Sequence, residues 1–187
     1  VFYNGYHYYT RFEEGKQYFL YCRKKGSLEA AEELLLDLNK MAEGHDYFSA
    51  TGFNISPDNN LLAYGVDTVS RRQYTIHVKN LSTGETYPEA LYPTSGSSAW
   101  AQDNRTLFYT ETNPETLLTE KIKRHIIGTA ASADAVVYHE ADPSNYIAIS
   151  KSRSQDYFFI CSQGTLSSEM RFLRTDEPNG IFRVFQP

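Results

Sequence analysis

Residues 53–64 read FNISPDNNLLAY, and residues 98–109 read SAWAQDNRTLFY. Aligned without a gap, Asp58 falls on Asp103, Asn59 on Asn104, Leu62 on Leu107 and Tyr64 on Tyr109, at a constant offset of 45 residues. In each copy an apolar stretch leads into an Asp-Asn turn and then into a longer apolar run. Asp and Asn bond their own backbone in turns, and a continuous apolar run suits a strand buried on both faces. A third copy is expected in YIAISKSRSQDYFFICS (146–162), with Ile149 and Phe158 spaced like Ile55 and Tyr64, or Trp100 and Tyr109. The anchors 55, 100 and 149 recur at a spacing that belongs to propeller blades of about 40–50 residues.

The unit around the first copy reads strand by strand. After Phe53–Ser56 and Leu61–Asp67, the segment Tyr74-Thr-Ile-His-Val-Lys alternates, with Tyr74, Ile76 and Val78 on one face. Ser82-Thr83-Gly84 then turns the chain into a fourth strand expected over Glu85–Leu91. KQYFLYCRK (16–24) echoes RQYTIHVKN (72–80), so Tyr6–Phe12 reads as the preceding strand and Glu33–Asn39 as the following one. The first strand of that blade is expected upstream of Val1. The run SLEAAEELLLDLNKMAEG (27–44) is rich in helix formers, yet the repeat requires a strand near Glu33–Asp37 and leaves a helical turn for Lys40–Glu43. The fold expected is all-β: a partial β-propeller of four-stranded antiparallel blades, parsed as 1–44 (incomplete), 45–92, 93–142 and 143–187.

Composition agrees with strands. The chain of 187 residues carries 15 Tyr and 11 Phe against 1 Trp and 2 Met, and aromatics favour pleated, half-buried surfaces. A net charge of −5 supplies no basic surplus for neutralising phosphates, so nucleic acid is not an expected partner. No apolar run approaches the ~20 residues of a membrane-spanning helix, so a membrane is not expected either. Cys22 and Cys161 sit in apolar runs as free thiols, which suits a reducing, cytoplasmic setting.

No chemistry-bearing motif stands out. The five His (7, 45, 77, 125, 139) show no zinc-binding spacing, and there is no Cys-x-x-Cys, Gly-x-Ser-x-Gly or phosphate-cradling Gly-rich loop. No catalytic residue, metal or cofactor is therefore assigned. His45-Asp46 could pair as an oriented base, although neighbours in an extended chain point apart, and a turn role is the simpler reading. Arg71-Arg72 reads either as two solvated charges or as a bidentate contact to a partner domain or peptide carboxylate. In up-and-down blades, inter-blade connections and second-to-third-strand loops share one side. His45-Asp46, Arg71-Arg72, Thr94–Ser98 and Glu111–Glu120 are thus expected along one rim, as gate or interdomain contacts.

The stretches NGYHYYTRFEEGKQYFLYCRKKGSLEA, LLDLNKMAEGHDYF, SPDNNLLAYGVDTVSRRQYTI and TSGSSAWAQDNRTLFYT resemble the N-terminal propeller of oligopeptidase B, within the prolyl oligopeptidase family of serine peptidases. The resemblance weakens after about Ala130. It implies a seven-bladed propeller capping a C-terminal α/β-hydrolase domain, admitting short peptides for cleavage after Lys or Arg. The family's catalytic triad matches no position here. The chain would then hold three strands of a first blade and blades two to four. The alternative is a small standalone propeller that binds proteins through one rim. Open sheet edges would make a cut piece of the ring prone to self-association.

Overall fold

A computed structural model describes residues 1–186, with the side chain of Gln186 left aside. The chain divides into two compact units, residues 1–48 and 49–187.

The first unit is one antiparallel sheet in chain order: β1 (Phe2–Tyr3), β2 (Tyr6–Arg11), β3 (Leu20–Lys25) and β4 (Glu32–Asp37), followed by the short helix α1 (Leu38–Ala42). The expected absence of a first strand is corrected here. Tyr3 pairs with Tyr6 across the two-residue turn Asn4-Gly5, whose φ values of 44° and 85° are both positive. Asn-Gly tolerates that backbone better than any other common pair, and it closes a hairpin on β1. The helix-forming run resolves into strand and then helix. Glu32 accepts hydrogen bonds from Tyr9 Oη (2.6 Å) and from Arg11 Nε and Nη2 (3.1 and 2.9 Å), while Glu33 accepts from Arg23 Nε at 2.8 Å. Bonds from Arg11 first, and Tyr9 second, hold the Glu32 carboxyl down at about 2. These cross-strand partners, with Leu35 and Leu36 buried, outweigh helix propensity until Asp37 caps α1 through the N–H groups of Asn39 and Lys40.

The second unit holds three sheets, each again in chain order. They are β5 (Ser49–Ile55), β6 (Leu61–Asp67), β7 (Tyr74–Asn80) and β8 (Leu91–Thr94); β9 (Ser98–Trp100), β10 (Thr106–Thr112), β11 (Thr119–Ile126) and β12 (Ala135–His139); and β13 (Tyr146–Lys151), β14 (Tyr157–Gln163), β15 (Ser168–Arg174) and β16 (Arg183–Gln186). The fourth strand expected over Glu85–Leu91 lies later, at Leu91–Thr94. Before that, Thr86 makes only an isolated bridge to Lys79, and regular pairing with β7 resumes at Leu91.

Neighbouring sheets bury opposite faces of the middle one. Leu107 and Tyr109, with Trp100, pack on Leu61, Ala63, Ile76, Val78 and Leu91 of the preceding sheet. Phe108, one residue along, turns to the following sheet, where its ring lies 4.7 Å from Phe158 and 5.7 Å from Phe182. That two-sided burial explains why β10 is apolar without alternation. It also defines the fold as consecutive propeller blades.

The repeat is visible atom by atom, with one correction. In all three β-hairpins the first turn residue donates to the residue five on: Ser56 to Leu61 (2.9 Å), Ala101 to Thr106 (2.9 Å) and Ser152 to Tyr157 (2.8 Å). Asn59, Asn104 and Gln155 adopt left-handed φ of 62°, 56° and 68°. Ile55 pairs with Leu62, Trp100 with Leu107 and Lys151 with Phe158. The third equivalent of Ile55 is therefore Lys151, two residues beyond the expected Ile149, and the turn positions recur in steps of 45 and 51. The expectation followed hydrophobicity, and here the equivalent position is a lysine.

Candidate functional site

In the 49–187 unit, the loops β6–β7, β8–β9, β10–β11, β12–β13 and β14–β15 emerge at one end of the blades, as up-and-down connectivity demands. Arg71 and Arg72 lie in the first of these. Asp67, at the end of β6 and 1% exposed, shapes that loop. Its Oδ1 accepts from the N–H of Val69 (2.8 Å), and its Oδ2 accepts from the N–H groups of Arg71 (3.1 Å) and Arg72 (2.8 Å). Ser70 and Arg72 both hold left-handed φ, 61° and 56°. A buried carboxylate gathering three backbone donors fixes a loop that has no regular pairing of its own. Both arginine side chains are exposed, and neither enters an ion pair among the described residues.

Gln73 ties this loop to its neighbours. Its Nε2 donates to the carbonyl of Pro114 in the β10–β11 loop at 2.9 Å, and its Oε1 accepts from Tyr92 Oη at 2.8 Å. The Ser95–Ser97 connection lies alongside, with Ser95 Oγ 2.6 Å from Thr110 Oγ1. The Arg71-Arg72, Thr94–Ser98 and Glu111–Glu120 segments are thus neighbours along one rim. Gly96 makes the connection possible. It holds φ of 84°, and a Cβ there would meet Thr51 Cγ2 at 2.5 Å.

The rest of the rim is charged but largely self-satisfied. Glu111 accepts from both Lys121 Nζ and Lys123 Nζ at 2.8 Å. Burial opposes ionisation of Glu111, yet these two ammonium groups hold its pKa below the usual carboxylate value. Glu140 accepts from Tyr138 Oη (3.0 Å) and Ser162 Oγ, beside a cleft that also includes Asn145, Ser168 and Arg171.

His45 and Asp46 belong to the 1–48 unit, just past α1. Gly44 carries φ of 81°, His45 N–H donates to the carbonyl of Ala42 at 3.2 Å, and both side chains are exposed. No hydrogen bond joins them among the described residues, so they do not form an oriented base. A different His–Asp pair, missed by sequence spacing, is present in the third blade. His125 Nδ1 lies 2.8 Å from Asp134 Oδ1, Tyr109 Oη donates to Asp134 Oδ2 at 2.9 Å, and the His and Asp side chains are 1% exposed. Burial, and then the Asp134 charge, push the Tyr109 hydroxyl well above its ordinary value. Nine residues separate His125 from Asp134, with a 3-10 turn (Ala131–Ala133) between, and no motif could have signalled that pairing. Buried and mutually hydrogen-bonded, the trio fastens the β11–β12 connection. Among the described residues no group of three His, Cys, Asp or Glu could hold a metal ion.

Consecutive four-stranded blades of this kind, with a braced rim, define a propeller module. The family described as "Prolyl oligopeptidase, N-terminal beta-propeller domain" matches residues 1–187, and the chain belongs to this family. Dipeptidyl aminopeptidase BI of Pseudoxanthomonas mexicana is 42% identical over 98% of this chain and 27% of its own length. Protease 2 of Moraxella lacunata is 34% identical over 91% of this chain and 26% of its own length. Oligopeptidase B from Leishmania major superposes with a TM-score of 0.92 at 30% identity, covering 100% of this chain and 27% of that one. The chain thus spans about a quarter of the length of the relatives it matches.

Proposed function

We propose that these blades serve as a size filter and lid for a serine peptidase. In this reading they form part of a seven-bladed ring over a C-terminal α/β-hydrolase domain of the same protein, which cleaves short peptides after Lys or Arg in the cytoplasm. The observation that carries the reading is the stacking of complete blades around fully buried Trp100, Phe108 and Phe158, which makes a close-packed wall. The similarity to named peptidases supports the rest. So does the outward face of the last blade, where Phe185 (64% exposed) contacts Phe159 and Phe172, a ladder that a further blade would cover. That ladder speaks against the standalone-scaffold alternative. His45-Asp46 and Arg71-Arg72 are read as gate or interdomain contacts on this assignment.

The test compares the full-length protein with residues 1–187 alone on an Arg-containing dipeptide substrate. Turnover by the full-length protein and none by residues 1–187 is expected. Turnover by residues 1–187 would contradict the placement of the chemistry elsewhere.

A further inference from the structure

Arg71 and Arg72 are consecutive arginines, and like Arg105, Arg153 and Arg183 they enter no ion pair among the described residues. Arg11, Arg23, Arg171 and Arg174 each pair with a carboxylate within 3.2 Å, and Arg124 Nη1 donates to the carbonyl of Pro178 at 3.0 Å. Arg71 and Arg72 have no such contact among the described residues, yet their backbone is among the most constrained on the rim. Asp67 holds both of their N–H groups from below, and Gln73 clamps the next residue to Pro114 and Tyr92. Because the oxygens of Asp67 are taken by backbone donors, its carboxylate is not offered to the guanidiniums. A backbone held in place under both arginines lowers the loop's share of the ordering cost of binding an anion.

We propose that Arg71 and Arg72 form a binding site for the free α-carboxylate of a short peptide. This inference rests on the peptidase reading above. A peptide C-terminus offers two carboxylate oxygens and, one bond away, the carbonyl oxygen of its last peptide link. One guanidinium can take the carboxylate bidentately while the other takes the carbonyl, which uses both arginines. A free terminus is also what separates a short peptide from an internal loop of a folded protein, so a rim that reads it reinforces selection by size.

The experiment uses the full-length protein and one Arg-containing peptide in two forms, C-terminal acid and C-terminal amide. Wild-type kcat/KM is expected to favour the acid by about tenfold, mostly through KM. In the Arg71→Ala/Arg72→Ala double variant the preference should collapse to within about twofold, and the Arg71→Lys/Arg72→Lys variant should restore part of it. Both residues are exposed, so the variants should melt as the wild type does. Titration of the two peptide forms gives the same comparison without turnover. Loss of activity by an equal factor on both forms would assign the pair to an interdomain contact and overturn the proposal, as would an unchanged acid preference. Absence of turnover on either peptide would instead strike the peptidase reading, with the titration still deciding the carboxylate site.

Discussion

The side chain of Asn104 reaches back one blade and accepts a hydrogen bond from the backbone N–H of Asp58 at 2.8 Å. The turn of one repeat therefore caps the turn of the previous one. Trp100 Nε1, donating to the carbonyl of Asn54 at 3.0 Å, and Gln102 Nε2, donating to the carbonyl of Gln155 at 3.3 Å, continue such links across the unit. The Asp-Asn echo in the sequence is thus both a turn and a joint. Within its own turn, burial would raise the Asp58 pKa, but bonds from Ser56 and Asn60 outweigh it and leave it lowered.

Asn104 contributes in two separable ways: the bond to Asp58, and tolerance of φ at 56°. Asn104→Gly keeps the second and loses the first, at an expected cost of about 1 kcal/mol. Asn104→Ala loses both, at about 2 kcal/mol. Denaturant midpoints check this ordering, and equal midpoints for the two variants would contradict it.

Phe108 is fully buried between Phe158 and Phe182. Phe108→Ala opens a cavity between two blades and should lower unfolding free energy by about 3–5 kcal/mol. Phe108→Leu, which refills most of that volume, should cost less than half as much. A Phe108→Ala protein as stable as the wild type would show that the blades do not stack through this residue.

Lys151 occupies the position of Ile55 and Trp100, half-buried on the face toward the preceding blade, with no partner for its ammonium group among the described residues. Burial lowers its pKa from 10.5 to about 8. Below pH 8 the folded protein carries this charge at a cost. Between about 8 and 10.5 the unfolded chain still binds a proton that the folded chain has shed, so this group makes stability rise with pH through that window. Lys151→Met should remove the rise and stabilise the protein at pH 7 by on the order of 1 kcal/mol, allowing for solvent screening of a partly exposed amine. Melting of both proteins from pH 7 to 10 reads the difference. Parallel profiles would refute the assignment.

Asp67 holds the arginine loop through three backbone bonds. Asp67→Ala should leave the blades folded but free the loop, so trypsin should cut after Arg71 or Arg72 at least about tenfold faster, as read by fragment mass. Unchanged resistance would mean that the bracing by Gln73 suffices alone.

Much of the architecture was legible because the turn chemistry repeats. Asp58-Asn59 and Asp103-Asn104 marked their hairpins, and the β4 strand followed from repeat logic against the helix propensity of residues 27–44. Three features were missed for physical reasons. The Asn4-Gly5 hairpin signal was present, but β1 is only two residues long and has no periodicity to detect. The third repeat lies two residues beyond its apolar signal because the position equivalent to Ile55 and Trp100 is the polar Lys151. β8 begins only at Leu91 because the segment before it holds a single isolated bridge, Thr86 to Lys79, which no periodicity marks. At the site, Arg71-Arg72 could be singled out from composition, whereas Asp67, Gln73 and the His125–Asp134–Tyr109 trio act through contacts that spacing does not encode.

The central claim is that these blades restrict access by size and do not react. Its most direct test measures kcat/KM of the full-length protein on a length series built around one Arg-containing cleavage site, from a dipeptide substrate to a folded protein bearing that site in an exposed loop. The account requires efficient cleavage of the short members and a steep fall with length, to no detectable cleavage of the folded protein. Equal kcat/KM across the series would contradict it.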